Sequence, residues 1–240
     1  MNRKSEPIGI GDFILKDLDI DLSEITATIE DAKKLSRFSP FLRLNMTPKE
    51  AFKLLLRYYI REVQTRHRQF ISDDNTLRVI CEVATHMTLE VPKPGLMLCG
   101  NQGNGKTTLA HALVAAVQSL KGTDQIGSIK DYSYIESRSI TATEICNYHK
   151  EQNYDGLRYV KNIPILIVDD LGEEPKEILV YGTPVYPIRE LLESRYDALR
   201  FTILTTNLTT EDLPDHYGWR LVDRFREFYF SVAHSGPSYR

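Results

Sequence analysis

Gly100-Asn-Gln-Gly103-Asn-Gly105-Lys106-Thr107 decides how the rest of this 240-residue chain is read. Glycine, four residues and then Gly-Lys-Thr is the spacing of a phosphate-binding loop, here set between a short apolar strand expected at 96–99 and a helix expected over 107–120. The glycines let the backbone curl so that successive amides point at phosphates, and the helix that follows adds the positive end of its dipole. Gly100, Asn101, Gln102, Gly103, Asn104, Gly105, Lys106, Thr107 and Thr108 are therefore the candidate nucleotide-binding residues. Lys106 is placed to reach the β- and γ-phosphates of ATP, and the Thr107 hydroxyl to hold Mg2+. The plainer alternative is a glycine-rich turn capping an ordinary helix.

Working outward toward the C-terminus, the apolar run Ile165-Leu-Ile-Val168 ends in Asp169-Asp170-Leu171-Gly172. Two carboxylates thus reach the C-terminal edge of a parallel sheet, the edge where ligands bind. Asp169 suits Mg2+ through its water shell, and Asp170 suits polarisation of an attacking water. On its own, Asp-Asp after a strand is as readily a helix cap or a surface turn. A further strand expected at 201–205 leads into Thr206-Asn207, whose amide either contacts the γ-phosphate or attacking water or closes an Asx-turn. After Val91-Pro-Lys-Pro-Gly95, strands expected at 96–99, 132–137, 163–168, 201–205 and 228–233 alternate with helices. These helices are expected at 107–120, after Thr141-x-x-Glu144, at 185–199 from near Pro187, and over about 211–227. The alternation argues for crossover units and an α/β fold with a parallel five-stranded sheet.

Upstream of that change in pattern, Thr47-Pro48-Lys49-Glu50 is a capping box with proline at the first helical position. Phe52, Leu56, Tyr59 and Val63 fall on one face of the helix it opens. Lys49, Lys53, Arg57 and Arg61 repeat every four residues as a cationic ridge, a spacing that costs about 0.2–0.5 kcal/mol per like-charged pair. Glu62 with Arg66 offsets part of this. A second helix is expected over 76–87 with Leu77, Ile80, Cys81 and Ala84 inward, whereas the first forty residues show no sustained period.

The net charge of -3 hides an asymmetry: residues 1–31 hold three basic and eight acidic side chains, residues 32–70 ten basic and two acidic. A local acidic or polyanionic partner fits this better than a globally basic nucleic-acid binder. No apolar run approaches the roughly 20 residues of a membrane span. The N-terminus lacks the apolar core of a secretory signal, and Cys81, Cys99 and Cys146 are widely spaced, so the expectation is a reduced, cytoplasmic protein without disulfides or zinc.

Taken together, Gly100-x4-Gly105-Lys106-Thr107, Ile165-Leu-Ile-Val-Asp-Asp-Leu-Gly172, Thr205-Thr-Asn-Leu208, Tyr217-Gly-x-Arg220-x3-Arg224 and Ser238-Tyr-Arg240 resemble AAA+ ATPases of the DnaC/IstB type. The resemblance runs from about Gly95 to Arg240. It implies the additional-strand P-loop sheet, as an ATPase domain over 91–240 behind a small helical partner-binding region over 1–90. Because the sequence stops at Arg240, it also implies that the C-terminal helical lid is missing. Mg-dependent ATP hydrolysis is implied, with Asp169 as the Walker B metal carboxylate, Asp170 in place of the more usual catalytic glutamate, and Asn207 as first sensor. Arg240 resembles the second-sensor arginine.

Arg224 looks like the arginine finger supplied to a neighbouring subunit's ATP, where a guanidinium stabilises charge on the transferring phosphoryl group. Arg226 and Arg220 are alternatives, as are salt bridges to Asp215, Asp223 or Glu227. The partners implied for a DnaC-like helicase loader are a replicative DnaB-type helicase, single-stranded DNA and further copies of the chain joined through ATP, with no membrane. An IstB-like helper, which binds duplex DNA and recruits a transposase, is the alternative. A small-molecule P-loop kinase leaves the Thr-Thr-Asn strand and the C-terminal arginines unexplained, and a nucleotide-gated adaptor would bind without turnover. The cationic ridge either meets an acidic partner or is a solvated face. Tyr148, His149, Lys150, Tyr154, Arg158, Tyr159 and Lys161 form either a stacking path for single-stranded DNA or a solvated loop.

Overall fold

The computed structural model describes residues 42–127, 135–209 and 211–235. After a two-residue strand β1 (Arg43–Leu44), helix α1 (Pro48–Thr65) starts where the capping box places it: Thr47 accepts from the Glu50 amide and Glu50 reaches back to the Thr47 amide. Its buried face is Ala51, Leu55 and Tyr59, rotated from the expected set, with Phe52, Leu56 and Val63 packed at the margin. Helix α2 (Asp74–Met87) is capped by Asp73 and buries Val79, Ile80, Val83, Ala84 and Met87. Leu77 is only half-buried, and Cys81 is exposed rather than inward.

Strand β2 (Gly95–Gly100) leads through the glycine loop into α3 (Lys106–Ser119), and β3 (Ile126–Gly127) pairs antiparallel with β1. Strand β4 (Ser137–Thr141) lies later than the expected 132–137, of which 132–134 fall outside the described residues. As an edge strand it pairs only with its β5 neighbour, so its Ser-Arg-Ser-Ile-Thr sequence need not be apolar. Thr141 and Glu144 form the anticipated capping box of α4 (Ala142–Lys150), and α5 (Tyr154–Asn162) follows.

Strand β5 (Ile165–Leu171) is followed by an unanticipated hairpin, β6 (Ile178–Val180) and β7 (Thr183–Val185). Helix α6 (Pro187–Asp197) and strand β8 (Thr202–Thr206) come next. The helical stretch expected at 211–227 is two helices, α7 (Leu213–Tyr217) and α8 (Trp219–Phe228), divided at Gly218 by a φ of 78°. Strand β9 (Tyr229–His234) closes the described chain.

The main sheet has the order β4-β5-β8-β2-β9, and every adjacent pair is parallel. Strand β8 is inserted between the loop-bearing β2 and the Asp-Asp strand β5, and that insertion defines the additional-strand P-loop arrangement. Because side chains alternate across a strand, each apolar run serves two cores. Leu96, Leu98, Ile165, Ile167 and Ile203 face a cluster shared with α1, α2 and α3. Met97, Leu166, Val168 and Leu204 face one shared with α4, α5, α6 and α8. Each such fully buried aliphatic side chain contributes roughly 1.5–3 kcal/mol. Buried Arg195 on α6 ties this second layer together by donating to the Val160, Ile163 and Phe201 carbonyls at 2.8–2.9 Å and to Thr202 Oγ1 at 2.8 Å. Among the described residues, no helix is long and apolar enough to cross a membrane.

Candidate functional site

The loop between β2 and α3 holds its shape through glycines whose φ is positive. A Cβ on Gly100 (φ 144°) would lie 2.1 Å from the His234 carbonyl, and one on Gly105 (φ 99°) 2.4 Å from the Tyr59 hydroxyl. Both positions are closed to any side chain: β9 crowds one and α1 the other. Asn104, fully buried, donates from Nδ2 to the His234 carbonyl and so ties the loop to the end of β9.

Lys106 is buried at the first turn of α3. Its ammonium donates to the Gly100 and Asn101 carbonyls, both at 2.7 Å, to Asn104 Oδ1 at 3.2 Å and to Asn207 Oδ1 at 3.0 Å. Thr107 Oγ1 donates to Asp169 Oδ1 at 2.9 Å. The Thr205 hydroxyl donates to the same Asp169 oxygen and accepts from the Asp170 backbone amide at 3.0 Å, so one side chain of β8 holds the Asp169 carboxylate and the backbone of Asp170. Strand β5 bulges between Val168 and Leu171, and Asp170 adopts a φ of 55°, a left-handed conformation that aspartate tolerates better than most residues. The bulge frees Asp170 from the ladder and exposes it on the wall of the cleft. Asn207 Nδ2 donates to Glu173 Oε1 at 3.2 Å while its oxygen accepts from Lys106.

The cleft has a volume of about 350 Å3. Gln102, Gly103, Asn104, Gly105, Lys106, Thr107, Thr108, Asp170 and Asn207 line one side, and Tyr59, Val63, Arg66, Arg68, Phe70 and Thr76, from α1, α2 and the segment between them, line the other. A polar, cationic floor beside a wall that carries Tyr59, Val63 and Phe70 among its basic and polar residues suits a phosphate tail attached to a flat ring. Magnesium prefers oxygen ligands and takes one or two carboxylates together with substrate phosphates, so the adjacent oxygens of Thr107 and Asp169 fit it. Cys99, next to the loop, is pushed up to about 11 by burial, with Lys106 opposing only in part, so it stays a protonated thiol.

The phosphate-loop, Asp-Asp and Asn207 residues therefore converge. The candidate arginines do not line this cleft. Arg224 pairs with Glu193 of α6 at 3.2 Å and lies over the Tyr196 ring at 5.0 Å, and Arg226 pairs with Asp223 at 3.4 Å. Arg220 is exposed, and Arg240 lies outside the described residues. Of the proposed single-strand path, Tyr154 and Tyr159 are exposed, Arg158 pairs with Asp155, and the Tyr159 hydroxyl donates to Glu136.

Sequence reasoning missed the far wall of the cleft, Thr205 as the carboxylate holder, and Glu174. The buried Glu174 carboxylate accepts from the Gly172 amide at 2.7 Å and from the Tyr217 hydroxyl at 2.5 Å, with His216 Nε2 3.6 Å away. It joins the turn after Asp170 to the helix leading into α8, and burial together with the Glu174 charge pushes the Tyr217 phenol far up. The second glutamate after Asp-Asp-Leu-Gly was its only trace in the sequence.

No family model and no curated protein matches the chain. Solved structures do. DnaI aligns with a TM-score of 0.53 and 23% identity over 71% of this chain and 87% of its own. A proposed primosome component from Streptococcus pyogenes serotype M3 aligns at 0.48 and 20%, over 82% of this chain and 84% of its own. AMPPCP-bound DnaA from Aquifex aeolicus aligns at 0.48 and 19%, over 69% of this chain and 48% of its own. The sheet order and the DnaI likeness define the class: this chain has the P-loop AAA+ α/β fold. Within that class, the fold shared with DnaI agrees with the DnaC/IstB-type resemblance carried by the motifs.

Proposed function

We propose that this chain is a Mg-dependent ATPase of replication initiation and acts as a DnaC-like loader, holding a DnaB-type replicative helicase and single-stranded DNA. The observation that carries the ATPase reading is the convergence of Lys106, Thr107, Asp170 and Asn207 from three different strand ends on one cleft, with Asp169 hydrogen-bonded to Thr107 beside it. Lys106 rests on carbonyl and amide oxygens that phosphate oxygens can replace, and Thr107 and Asp169 would hold magnesium, which neutralises charge on the phosphates. Asp170, free of the strand ladder, accepts a proton from the attacking water, which Asn207 orients. One of Arg224, Arg220 and Arg226 is supplied to a neighbouring subunit, so that hydrolysis depends on assembly.

The loader reading rests on the motif resemblance and on the fold shared with DnaI. Tyr154 and Tyr159, exposed on α5, suit the stacking of unpaired bases. Size-exclusion chromatography with light scattering tests it, with the full chain mixed with the DnaB-type helicase of its host, with and without Mg-ATP. A stable larger complex is expected. An intact helicase ring that forms none would overturn the loader reading in favour of the IstB-like helper, for which ATPase stimulated by duplex rather than single-stranded DNA is the signature.

A further inference from the structure

Lys49, Lys53, Arg57 and Arg61 are all exposed on the outer face of α1, opposite the buried Ala51, Leu55 and Tyr59. Successive members stand about 6 Å apart along the helix axis, and the row spans about 18 Å. Among the described residues none of the four forms an ion pair. The two carboxylates of the helix do not neutralise the row: Glu50 is taken up by Thr47 in the capping box, and Glu62 forms no ion pair with it. Arg61 lies over the ring of Tyr58, 5.7 Å from its centroid. Four like charges are thus kept in register on a rigid, capped helix, offset only in part by the Glu50 charge near Lys53 and the Tyr58 ring under Arg61.

We propose that this outer face of α1 binds the phosphodiester backbone of nucleic acid. The surface chemistry separates that occupant from an acidic protein. Protein interfaces are built around an apolar or aromatic centre and are depleted of lysine, whereas no large apolar side chain of α1 is exposed. A row of evenly spaced cations without an apolar centre is what repeated phosphates require, and it reads no base edges, so binding here is independent of sequence. The site is distinct from the cleft, which Tyr59 and Val63 line from the inner side of the same helix. It is therefore independent of the ATPase reading and of helicase binding, and on single strands it deepens the DNA-holding part of the loader reading.

The test is fluorescence anisotropy of the full chain with a labelled oligothymidylate and with a mixed-sequence duplex of equal length, without nucleotide, at salt from about 50 to 200 mM. Lys53→Gln with Arg57→Gln is expected to weaken binding at least fivefold at the low-salt end. It should also reduce the slope of log affinity against log salt by about 1.5, since each phosphate contact contributes about 0.7 on a single strand and 0.9 on a duplex. Whichever probe shows the change identifies the form of nucleic acid. Lys53→Glu with Arg57→Glu should abolish the same binding, and the neutral pair keeps the test valid if reversal harms folding. Affinity and slope equal to the unaltered chain for both probes overturn the proposal, and a loss confined to helicase binding reassigns the ridge to a protein surface.

Discussion

The phosphate-loop corner and helix α8 each hold residues that the motifs single out, and they are built in opposite ways. In the corner the polar groups are held by other residues of the same chain: Lys106 by four oxygens, Asp169 by Thr107 and Thr205, Asn207 by Lys106 and Glu173, while the Asp170 side chain is exposed on the cleft wall. On α8 the arginines are spread around the helix, Arg224 against Glu193 and Tyr196, Arg226 against Asp223, and Arg220 in solvent. A site that acts within one subunit is complete in one subunit. An arginine that serves a neighbouring subunit, as proposed, must leave its present partner; Arg224 and Glu193 are each about a quarter exposed, whereas Arg226 and Asp223 are largely solvated.

The largest effect expected is at the corner. Lys106→Ala should weaken ATP binding at least a hundredfold in a fluorescent-nucleotide titration while circular dichroism shows an intact fold; near-normal affinity would break the contrast at its stronger end. Asp170→Asn comes next. Asparagine also tolerates the left-handed backbone, so the bulge should persist, with nucleotide affinity within about threefold and turnover lowered by roughly 10²–10⁴, the usual worth of a positioned base.

On α8, Arg224→Ala should remove the dependence of turnover on protein concentration without altering the nucleotide affinity of dilute subunits. It should also cost up to about 1 kcal/mol of stability, because Glu193 keeps only its longer pair with Arg189 and Tyr196 loses the guanidinium over its ring. If Arg220→Ala, with no pair to lose, suppresses turnover and Arg224→Ala does not, the finger is Arg220 and the Glu193 pair is purely structural.

The smallest effect links the corner to β9. Burial pulls His234 down to about 4, with Lys106 and Arg78 adding to the shift and Asp73 opposing it. The unfolded chain then binds the proton that the folded chain refuses, so stability is full above about pH 6.5 and declines as pH falls toward 4. His234→Gln should flatten that part of a curve of Tm against pH.

How much of this was legible in the sequence depends on the range of the interaction. The capping boxes at Thr47 and Thr141, the glycine loop and the apolar strands are local, and each appears where its residues place it. Strand β4 was displaced because an edge strand carries a weak apolar signal, and the face of α1 was rotated because Ala51 counts for little in a hydrophobic pattern yet is fully buried. Gly218 splits a helix that periodicity alone runs together. Glu174 and Arg195 were invisible as structural centres, since a charged residue normally lies at the surface and only partners brought from elsewhere make burial affordable.

By itself the sequence determined most of the main-sheet strands and their helices, the phosphate loop and the pair of carboxylates at a strand end, because these follow from spacing within a dozen residues. Only the tertiary structure decided that β8 inserts between β2 and β5, that Thr205 and Asn207 thereby reach Asp169 and Lys106, and that α1 turns Tyr59 onto the loop while its cations face out. Strand order is set by which backbones share hydrogen bonds and which faces share a core, and neither is written in the local pattern of any one segment.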